Sequence, residues 1–324
     1  MTARPSVGAR ALPLVERLVA DADMLRIRTL DVAGARVVDA GVDVPGSPEA
    51  GRRIAEIAMG GLGTVVLQGG TPGGTWPCAV AVQAAEPVTA CLLSQYAGWA
   101  LTLEDDLGRR RTLMVSGPGR ARARREALFD ELGYADGASP AVFVVEDARL
   151  PDGAVAKALA EGAGVDPADL VVIVTPTTSI AGLVQIAARV LEVALHRVHE
   201  LGFPVERVRD GTGWAPVPPP SPDFVTAMGR SNDAILYGGE VWLTVEGPEE
   251  EARALARALP SSASPSYGRP FAELFRAAGG DFYAIDRSLF APARVVVTAL
   301  ATGRSFTAGR IARDLLSRSF GVAP

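Results

Sequence analysis

Short runs rich in β-branched residues alternate irregularly with stretches of helical periodicity, and this alternation constrains the fold more than any other feature of the chain. Apolar runs of period two or of continuous character predict strands over Ala35–Val42, Thr64–Leu67, Ala79–Ala84, Arg111–Val115, Ala141–Glu146, Leu170–Val174, Ile235–Val245 and Arg294–Leu300. Apolar residues three and four apart predict helices over Pro13–Asp23, Ser47–Met59, Arg122–Leu132, Gly153–Glu161, Ile180–Leu201, Glu249–Leu259, Pro270–Ala278 and Ala308–Ser317. Because the strands and helices are not evenly interleaved, the pattern predicts an α+β fold of α/β layers and not a doubly wound Rossmann sheet.

Residues 209–223, RDGTGWAPVPPPSPD, hold five prolines and two glycines. Proline donates no backbone hydrogen bond and glycine weakens regular structure, so we predict a linker or long loop here. A chain of 324 residues is long enough for two cores. We therefore predict two α/β-layered domains, residues 1–210 and 211–324, with a provisional boundary that allows one domain to be discontinuous in sequence.

Composition excludes several classes of protein. Hydrophobic residues make up 48% of the chain and charged residues 21%, which excludes wholesale disorder. A net charge of −5 argues against nucleic-acid binding, which needs a basic face. The apolar stretch 76–103 is interrupted by polar residues, and the N-terminus lacks the apolar core of a signal peptide. With only Cys78 and Cys91 and no disulfide framework, the sequence predicts a cytoplasmic protein that binds no membrane.

Familiar cofactor motifs are missing from the sequence. It contains no G-x-G-x-x-G fingerprint, no phosphate-binding G-x-x-x-x-G-K-[ST] loop and no G-x-S-x-G nucleophile elbow. The only histidines, His196 and His199, could supply half a zinc site, but no cluster of cysteine or histidine supplies the rest. An enzyme with this inventory is predicted to work without metal or nucleotide.

The predicted helix Ile180–Leu201 carries a narrow polar stripe. Thr178 or Ser179 suits its N-cap, and free amides at that end could hold an anionic group. The stripe consists of four residues at spacings of four, three and four: Gln185, Arg189, Glu192 and His196. Either a solvent-exposed face or a helix that lines a cleft is consistent with this spacing.

Two shorter segments also allow a functional interpretation beside a structural one. SGPGRAR, residues 116–122, follows a predicted strand and precedes a predicted helix, which suits an anion site or a plain turn. SQYAGW, residues 94–99, contains Gln95 and Tyr96 and offers amide, hydroxyl and aromatic surface. That composition suits a planar heterocycle, or packed aromatic residues alone.

The segment AMGRSNDAILYGG, residues 227–239, concentrates Arg230, Asn232 and Asp233 directly before the predicted strand Ile235–Val245. Arg230 and Asp233 are three residues apart, so one turn would place them on the same side. A neighbouring guanidinium lowers the pKa of a carboxylate and fixes its orientation. We expect an ionised, weak general base that is useful only against a strongly electrophilic substrate; a solvated turn is the alternative.

Five segments together resemble methenyltetrahydromethanopterin cyclohydrolases: AMGRSNDAILYGG, PTTSIAGLVQIAARVLEVALHRVHELGF, PSYGRPFAELF, FYAIDRSLFAPARV and CLLSQYAGW. The similarity extends from about Arg36 to Phe320. It implies addition of water to the cyclic amidinium of methenyl-tetrahydromethanopterin, which leaves the 5-formyl derivative, in the one-carbon metabolism of formaldehyde oxidation. It also implies a homotrimer, with a substrate cleft between the two domains and with no metal or other cofactor.

By the same resemblance, Asp233 polarises the attacking water, and Arg230 orients both Asp233 and that water. The expected substrate-binding residues are Asn232, Ser179, Gln185, Arg189, Glu192, His196, Gln95 and Tyr96. Two alternatives stay open on sequence alone: a pterin-binding or carrier protein without catalysis, and a cyclohydrolase that acts on a folate.

Overall fold

A computed structural model describes residues 4–69, 76–104 and 107–321, with only the backbone of Tyr283. Its strands are β1 (Arg28–Val32), β2 (Ala35–Asp39), β3 (Gly63–Gly69), β4 (Cys78–Ala84), β5 (Trp99–Glu104), β6 (Arg110–Ser116), β7 (Ala141–Val145), β8 (Leu170–Val174), β9 (Val208–Pro216), β10 (Glu240–Val245), β11 (Arg294–Ala299) and β12 (Arg304–Gly309). Its α-helices are α1 (Val7–Ala20), α2 (Ala22–Leu25), α3 (Pro48–Ala58), α4 (Arg120–Ala123), α5 (Ala127–Glu131), α6 (Gly153–Ala163), α7 (Ile180–Ala187), α8 (Val190–Glu200), α9 (Phe224–Leu236), α10 (Glu249–Ala258), α11 (Phe271–Ala277) and α12 (Arg313–Phe320). Residues Val88–Gln95 form a π-helix. The predicted α+β class is confirmed.

The chain divides into two compact units, each built from two segments. Unit 1 comprises Met1–Thr64 and Thr89–Gln185, and unit 2 comprises Val65–Val88 and Ile186–Pro324. Each unit contains one open six-stranded mixed sheet. In the part of the chain that the structure describes, no helix is long and apolar enough to cross a membrane.

Unit 1 has the strand order β1-β2-β8-β7-β6-β5. The central strands β2, β8 and β7 run parallel, and antiparallel strands lie toward both edges. On one face of β7, Val142 and Val144 pack with α1, α3 and α7. On the opposite face, Phe143 and Val145 pack with α6. Burial on both faces explains why β7 and β8 are continuous apolar runs.

Unit 2 has the strand order β12-β11-β10-β9-β4-β3. Strand β10 pairs parallel with β11 and antiparallel with β9. Helix α8 approaches β9 closely because two glycines face it. A Cβ at Gly211 would lie 2.6 Å from Leu191 Cδ1, and one at Gly213 would lie 2.7 Å from Val190 Cγ1.

Three predictions about local structure are wrong. The linker predicted over 209–223 is strand β9 as far as Pro216, in which the two glycines make room for α8, and only the residues after Pro216 form a loop. The strand over Ile235–Val245 starts at Glu240, because the preceding residues end helix α9. The single helix over Ile180–Leu201 is two helices, α7 and α8, with a turn at Ala188 and Arg189.

Candidate functional site

Helix α9 carries the polar residues of the segment 227–239. Its N-cap, Asp223, accepts a hydrogen bond from the Thr226 amide at 2.9 Å, which fixes the start of the helix. Asn232 donates to the Met228 carbonyl at 2.9 Å, one turn back on the same helix. This contact keeps the Asn232 side chain close to its own helix surface, where it is half-buried.

Arg230 is held by carbonyl oxygens. Its Nε donates to the Ser319 carbonyl at 3.2 Å, and its Nη1 donates to the carbonyls of Pro219 and Pro220 at 3.3 and 3.1 Å. The guanidinium therefore joins α9 to the last turn of α12 and to the proline-rich segment. Among the described residues, no ion pair joins Arg230 to Asp233, so the predicted pairing is wrong.

Asp233 is completely buried. One carboxylate oxygen, Oδ1, accepts the amide of Phe271 at 2.9 Å, at the start of α11. The other, Oδ2, is buried and accepts no hydrogen bond from any described residue. Burial raises the pKa of Asp233 to about 7, and the nearby Ser319 side chain and the Phe271 amide offset only part of that rise. The expectation of a pKa lowered by Arg230 is therefore wrong, because desolvation acts on this carboxylate without an adjacent guanidinium.

Helix α8 presents a second arginine and carboxylate at the same spacing. Arg189 lies at its N-cap and Glu192 in its first turn, where the positive end of the helix dipole favours a carboxylate. Both residues are buried, with 6% and 5% of their surface exposed. Arg189 Nη1 lies 3.8 Å from Glu192 Oε2, which makes them an ion pair. The turn between α7 and α8 thus places a paired guanidinium and carboxylate together.

His196 lies one turn beyond Glu192 on α8 and is half-buried. Burial lowers its pKa, and the charge of Glu200 acts in the opposite direction. The cationic neighbours Arg287 and Arg197, together with His199, lower the pKa further. A lowered pKa favours the neutral imidazole, which can donate a hydrogen bond from one nitrogen and accept one at the other.

In unit 1, Ser179 caps the start of α7 and Gln185 lies in its second turn. The Gln185 amide, fully buried, donates to Glu146 Oε1 at 2.9 Å. Ser179 Oγ donates to the Pro176 carbonyl at 2.8 Å and accepts the Gly182 amide at 3.0 Å, so the predicted N-cap at Ser179 is confirmed. Sequence analysis missed Glu146, although a carboxylate that directly follows a buried strand is a recognisable signal.

Gln95 and Tyr96 lie at the end of the π-helix. The Tyr96 amide donates to the Cys91 carbonyl at 2.7 Å, which closes the last five-residue turn. The fully buried Arg120 packs its guanidinium 5.2 Å from the Tyr96 ring centre. Sequence analysis singled out the segment of Arg120 but assigned that residue no role.

The segment SGPGRAR makes a tight turn against strand β7. The Gly117 amide donates to the Ser94 carbonyl at 3.0 Å, and the Gly119 amide donates to the Val142 carbonyl at 2.8 Å. These amides are occupied within the protein, so the turn, and not the anion site, is the interpretation that the geometry supports. Across the described ranges, no group of three or more histidine, cysteine, aspartate or glutamate residues is arranged to hold a metal ion.

Comparison with known proteins shows the family of the chain. A profile described as "Cyclohydrolase (MCH)" matches residues 6–320. The chain is similar to the methenyltetrahydromethanopterin cyclohydrolase of Methylobacterium sp. (strain 4-46), with 54% identity over 321 residues and 98% of each chain covered. The enzyme of the same name from Methylobacillus flagellatus is 51% identical over 324 residues, with 100% of this chain and 98% of the relative covered. That of Methanococcus aeolicus is 40% identical over 323 residues, with 98% of each covered.

Proposed function

Since the chain belongs to the cyclohydrolase (MCH) family, we propose that it hydrolyses the cyclic amidinium of methenyl-tetrahydromethanopterin. It is a hydrolase of a cyclic amidine. Water adds to the methenyl carbon, a new C–O bond forms and one C–N bond breaks; of the two protons that the water oxygen loses, one ends on the freed nitrogen and the other in solvent. The product is the 5-formyl derivative.

The substrate itself supplies most of the driving force for attack. Its methenyl carbon lies between two nitrogens that share a positive charge, so it is electrophilic before the protein acts. What the protein adds is a positioned water and a group that accepts the proton, together typically a factor of about 10²–10⁴ in rate. This chemistry supports a mechanism in which the chain's own side chains suffice, without metal or cofactor.

The ion pair of Arg189 and Glu192 supports this role best. A guanidinium that contacts a carboxylate orients it and can hold the same water, which is the arrangement expected of the reacting pair. The single observation that carries the assignment is the 3.8 Å contact between Arg189 Nη1 and Glu192 Oε2. The Glu192 side chain keeps 6% of its surface exposed, whereas Asp233 has none exposed.

Asp233 is the second candidate for the base, favoured by one observation. A carboxylate whose pKa is about 7 is well matched to proton transfer near neutral pH. Against it, Asp233 is completely buried and its Oδ1 already holds the Phe271 amide, while Arg230 binds three carbonyls. We therefore assign the base to Glu192 and keep Asp233 as the alternative that mutagenesis decides.

The remaining binding residues are proposals that rest on the resemblance and on the chemistry of each side chain. Tyr96 offers the aromatic surface that a pterin ring requires, and Gln95 and Gln185 carry suitable amides but are fully buried, Gln185 as a donor to Glu146. His196 and Asn232 offer further polar contacts, whereas Ser179 is already engaged twice in capping α7. A cytoplasmic homotrimer that serves formaldehyde oxidation completes the proposal; the mass of the protein in solution tests the trimer.

One assay tests the proposed function. Purified protein is added to methenyl-tetrahydromethanopterin with chelator present, and the loss of methenyl absorbance is followed. We expect catalytic turnover that chelation does not diminish. Saturable binding without turnover would establish the non-catalytic carrier instead, and faster turnover of methenyl-tetrahydrofolate would establish a folate enzyme. If the purified protein contains a stoichiometric metal, and activity is lost when that metal is removed and returns when it is restored, the metal-free mechanism is overturned.

A further inference from the structure

The π-helix Val88–Gln95 ends at Tyr96, and one buried arginine contacts this end on several sides. Arg120 has no exposed surface, and its Nη1 donates to the carbonyls of Leu92 and Ser94 at 3.3 and 3.0 Å. Both carbonyls belong to the last turn of the π-helix. A π-helix is rare and is frequently found at functional sites. The arginine therefore stabilises an uncommon backbone at its C-terminal end.

The guanidinium of Arg120 lies between two aromatic rings. Its Cζ is 5.2 Å from the Tyr96 ring centre and 5.3 Å from the Phe129 ring centre. A guanidinium at this distance from an aromatic face is attracted by the ring's quadrupole, most strongly when both are desolvated. The contact restricts the orientation of the Tyr96 ring.

Glu126 completes the arrangement as a two-point partner of the guanidinium. Arg120 Nε donates to Glu126 Oε1 at 3.0 Å, and Nη2 donates to Glu126 Oε2. A Cβ at Gly98 would clash with the Glu126 carboxylate and the Tyr96 ring, so the carboxylate lies against the segment that carries Tyr96. A buried guanidinium needs such a partner, since an unpaired buried charge is strongly unfavourable.

All these contacts of Arg120 are internal: one carboxylate, two carbonyls and two rings. Such a guanidinium acts through its neighbours and not on a ligand. We propose that Arg120 and Glu126 are positioning residues that fix Tyr96 for binding of the pterin ring. The proposal rests on the proposed function, in that it takes the pterin as the ligand of Tyr96, and it predicts an effect on substrate affinity and not on the chemical step.

The test is a double-mutant cycle between Glu126→Gln and Tyr96→Ala. Glu126→Gln keeps the size of the side chain but removes the charge that holds Arg120. We expect it to raise KM about 10-fold with kcat within about two-fold, as for the loss of a charge-assisted contact. In the Tyr96→Ala background the same change should leave KM within about two-fold, because the residue through which it acts is gone.

Arg111 and Asp147 provide a matched control in the same unit. Arg111 is buried, lies 3.0 Å from Asp147 and donates to the carbonyls of Arg149 and Leu150. Asp147→Asn should destabilise the protein to a similar extent and leave KM unchanged. Equal rises in KM for Asp147→Asn and Glu126→Gln would overturn the positioning role, as would additive effects of Glu126→Gln and Tyr96→Ala.

A second measurement does not depend on activity. Hydrogen exchange of the peptide covering 88–96 should accelerate in Glu126→Gln but not in Asp147→Asn, since the Tyr96 amide loses support for its bond to Cys91. Unchanged exchange would overturn the proposal. Absence of turnover in the unaltered protein would contradict the proposed function alone, and exchange would then decide the positioning role. If Glu126→Gln does not fold, Glu126→Asp, which withdraws the carboxylate by one methylene, takes its place.

Discussion

Helices α8 and α9 each carry an arginine and a carboxylate three residues apart, yet only one of the two forms a pair. Arg189 and Glu192 lie 3.8 Å apart. Arg230 instead donates to three carbonyl oxygens, and Asp233 accepts the amide that begins α11. The same spacing thus gives a candidate reacting pair in α8, whereas in α9 both side chains form hydrogen bonds with neighbouring elements.

The difference lies in what packs against each helix. The residues of α9 meet α11, α12 and the proline-rich segment, which offer carbonyls and an amide at short distance. The bonds from Nε and Nη1 of Arg230 hold its guanidinium at the carbonyls of Ser319, Pro219 and Pro220, and within the described part of the chain it forms no ion pair with Asp233. Spacing on a helix makes a pair possible, and the neighbouring elements decide whether it forms.

The largest expected effect is that of Glu192→Gln. If Glu192 accepts the proton from water, the amide should lower kcat by about 10²–10⁴-fold while the fold and KM change little. Steady-state kinetics measure this, with Glu200→Gln in the same helix as the control that keeps kcat within about two-fold. Near-full activity in Glu192→Gln, together with a collapse of kcat in Asp233→Asn, would reverse the assignment of the two pairs.

Asp233→Asn should change how stability depends on pH. Because burial raises the folded-state pKa of Asp233 from 3.8 to about 7, the folded state retains a proton that the unfolded state has lost. The contribution of this residue to stability therefore falls as pH rises from about 4 to about 7, by at most about 4 kcal/mol, and stays constant above that range.

Denaturant unfolding of both proteins at several pH values measures the difference. The asparagine variant cannot ionise, so its stability relative to the unaltered protein should increase across that range. A difference that does not vary with pH would mean that the folded protein does not desolvate the Asp233 carboxylate. Asp233 and Glu192 would then not differ in the way described above.

Arg230→Ala should affect stability and leave catalysis intact. Removal of the guanidinium leaves three carbonyls without their donor, which we expect to cost about 2 kcal/mol in the free energy of unfolding. Arg310→Ala removes an exposed arginine and should cost no more than about 0.5 kcal/mol. If Arg230→Ala lowers kcat strongly while the unfolding transition stays in place, Arg230 belongs to the reacting groups after all.

The smallest effect is expected for Arg189→Lys. Lysine keeps the positive charge but lacks the planar fork that can hold a carboxylate and a water together. We expect kcat/KM to fall about 10-fold, with thermal stability nearly unchanged. A lysine variant as active as the unaltered protein would show that charge alone is needed at this position.

Much of the fold was predictable from local pattern. Strand β8 was predicted with its observed bounds, and β7 to within one residue, because strands buried on both faces read as uninterrupted apolar runs. Helix α6 was predicted at its observed start. Strand β9 was missed because the glycines that it needs beneath α8 are the same residues that mark loops elsewhere.

The sequence by itself determined the α+β class, the family and the set of polar residues from which a site can be built. Apolar periodicity, cap residues and long shared motifs are local properties of the chain, so they can be recognised without knowing which elements pack together. Only the tertiary structure decided which of those polar groups meet. The pKa of Asp233, the carbonyl partners of Arg230 and the contact of Arg120 with Tyr96 all depend on elements distant in sequence. The desolvation and the hydrogen-bond partners of a side chain depend on the elements that pack against it, and the spacing of residues along one helix does not determine those elements.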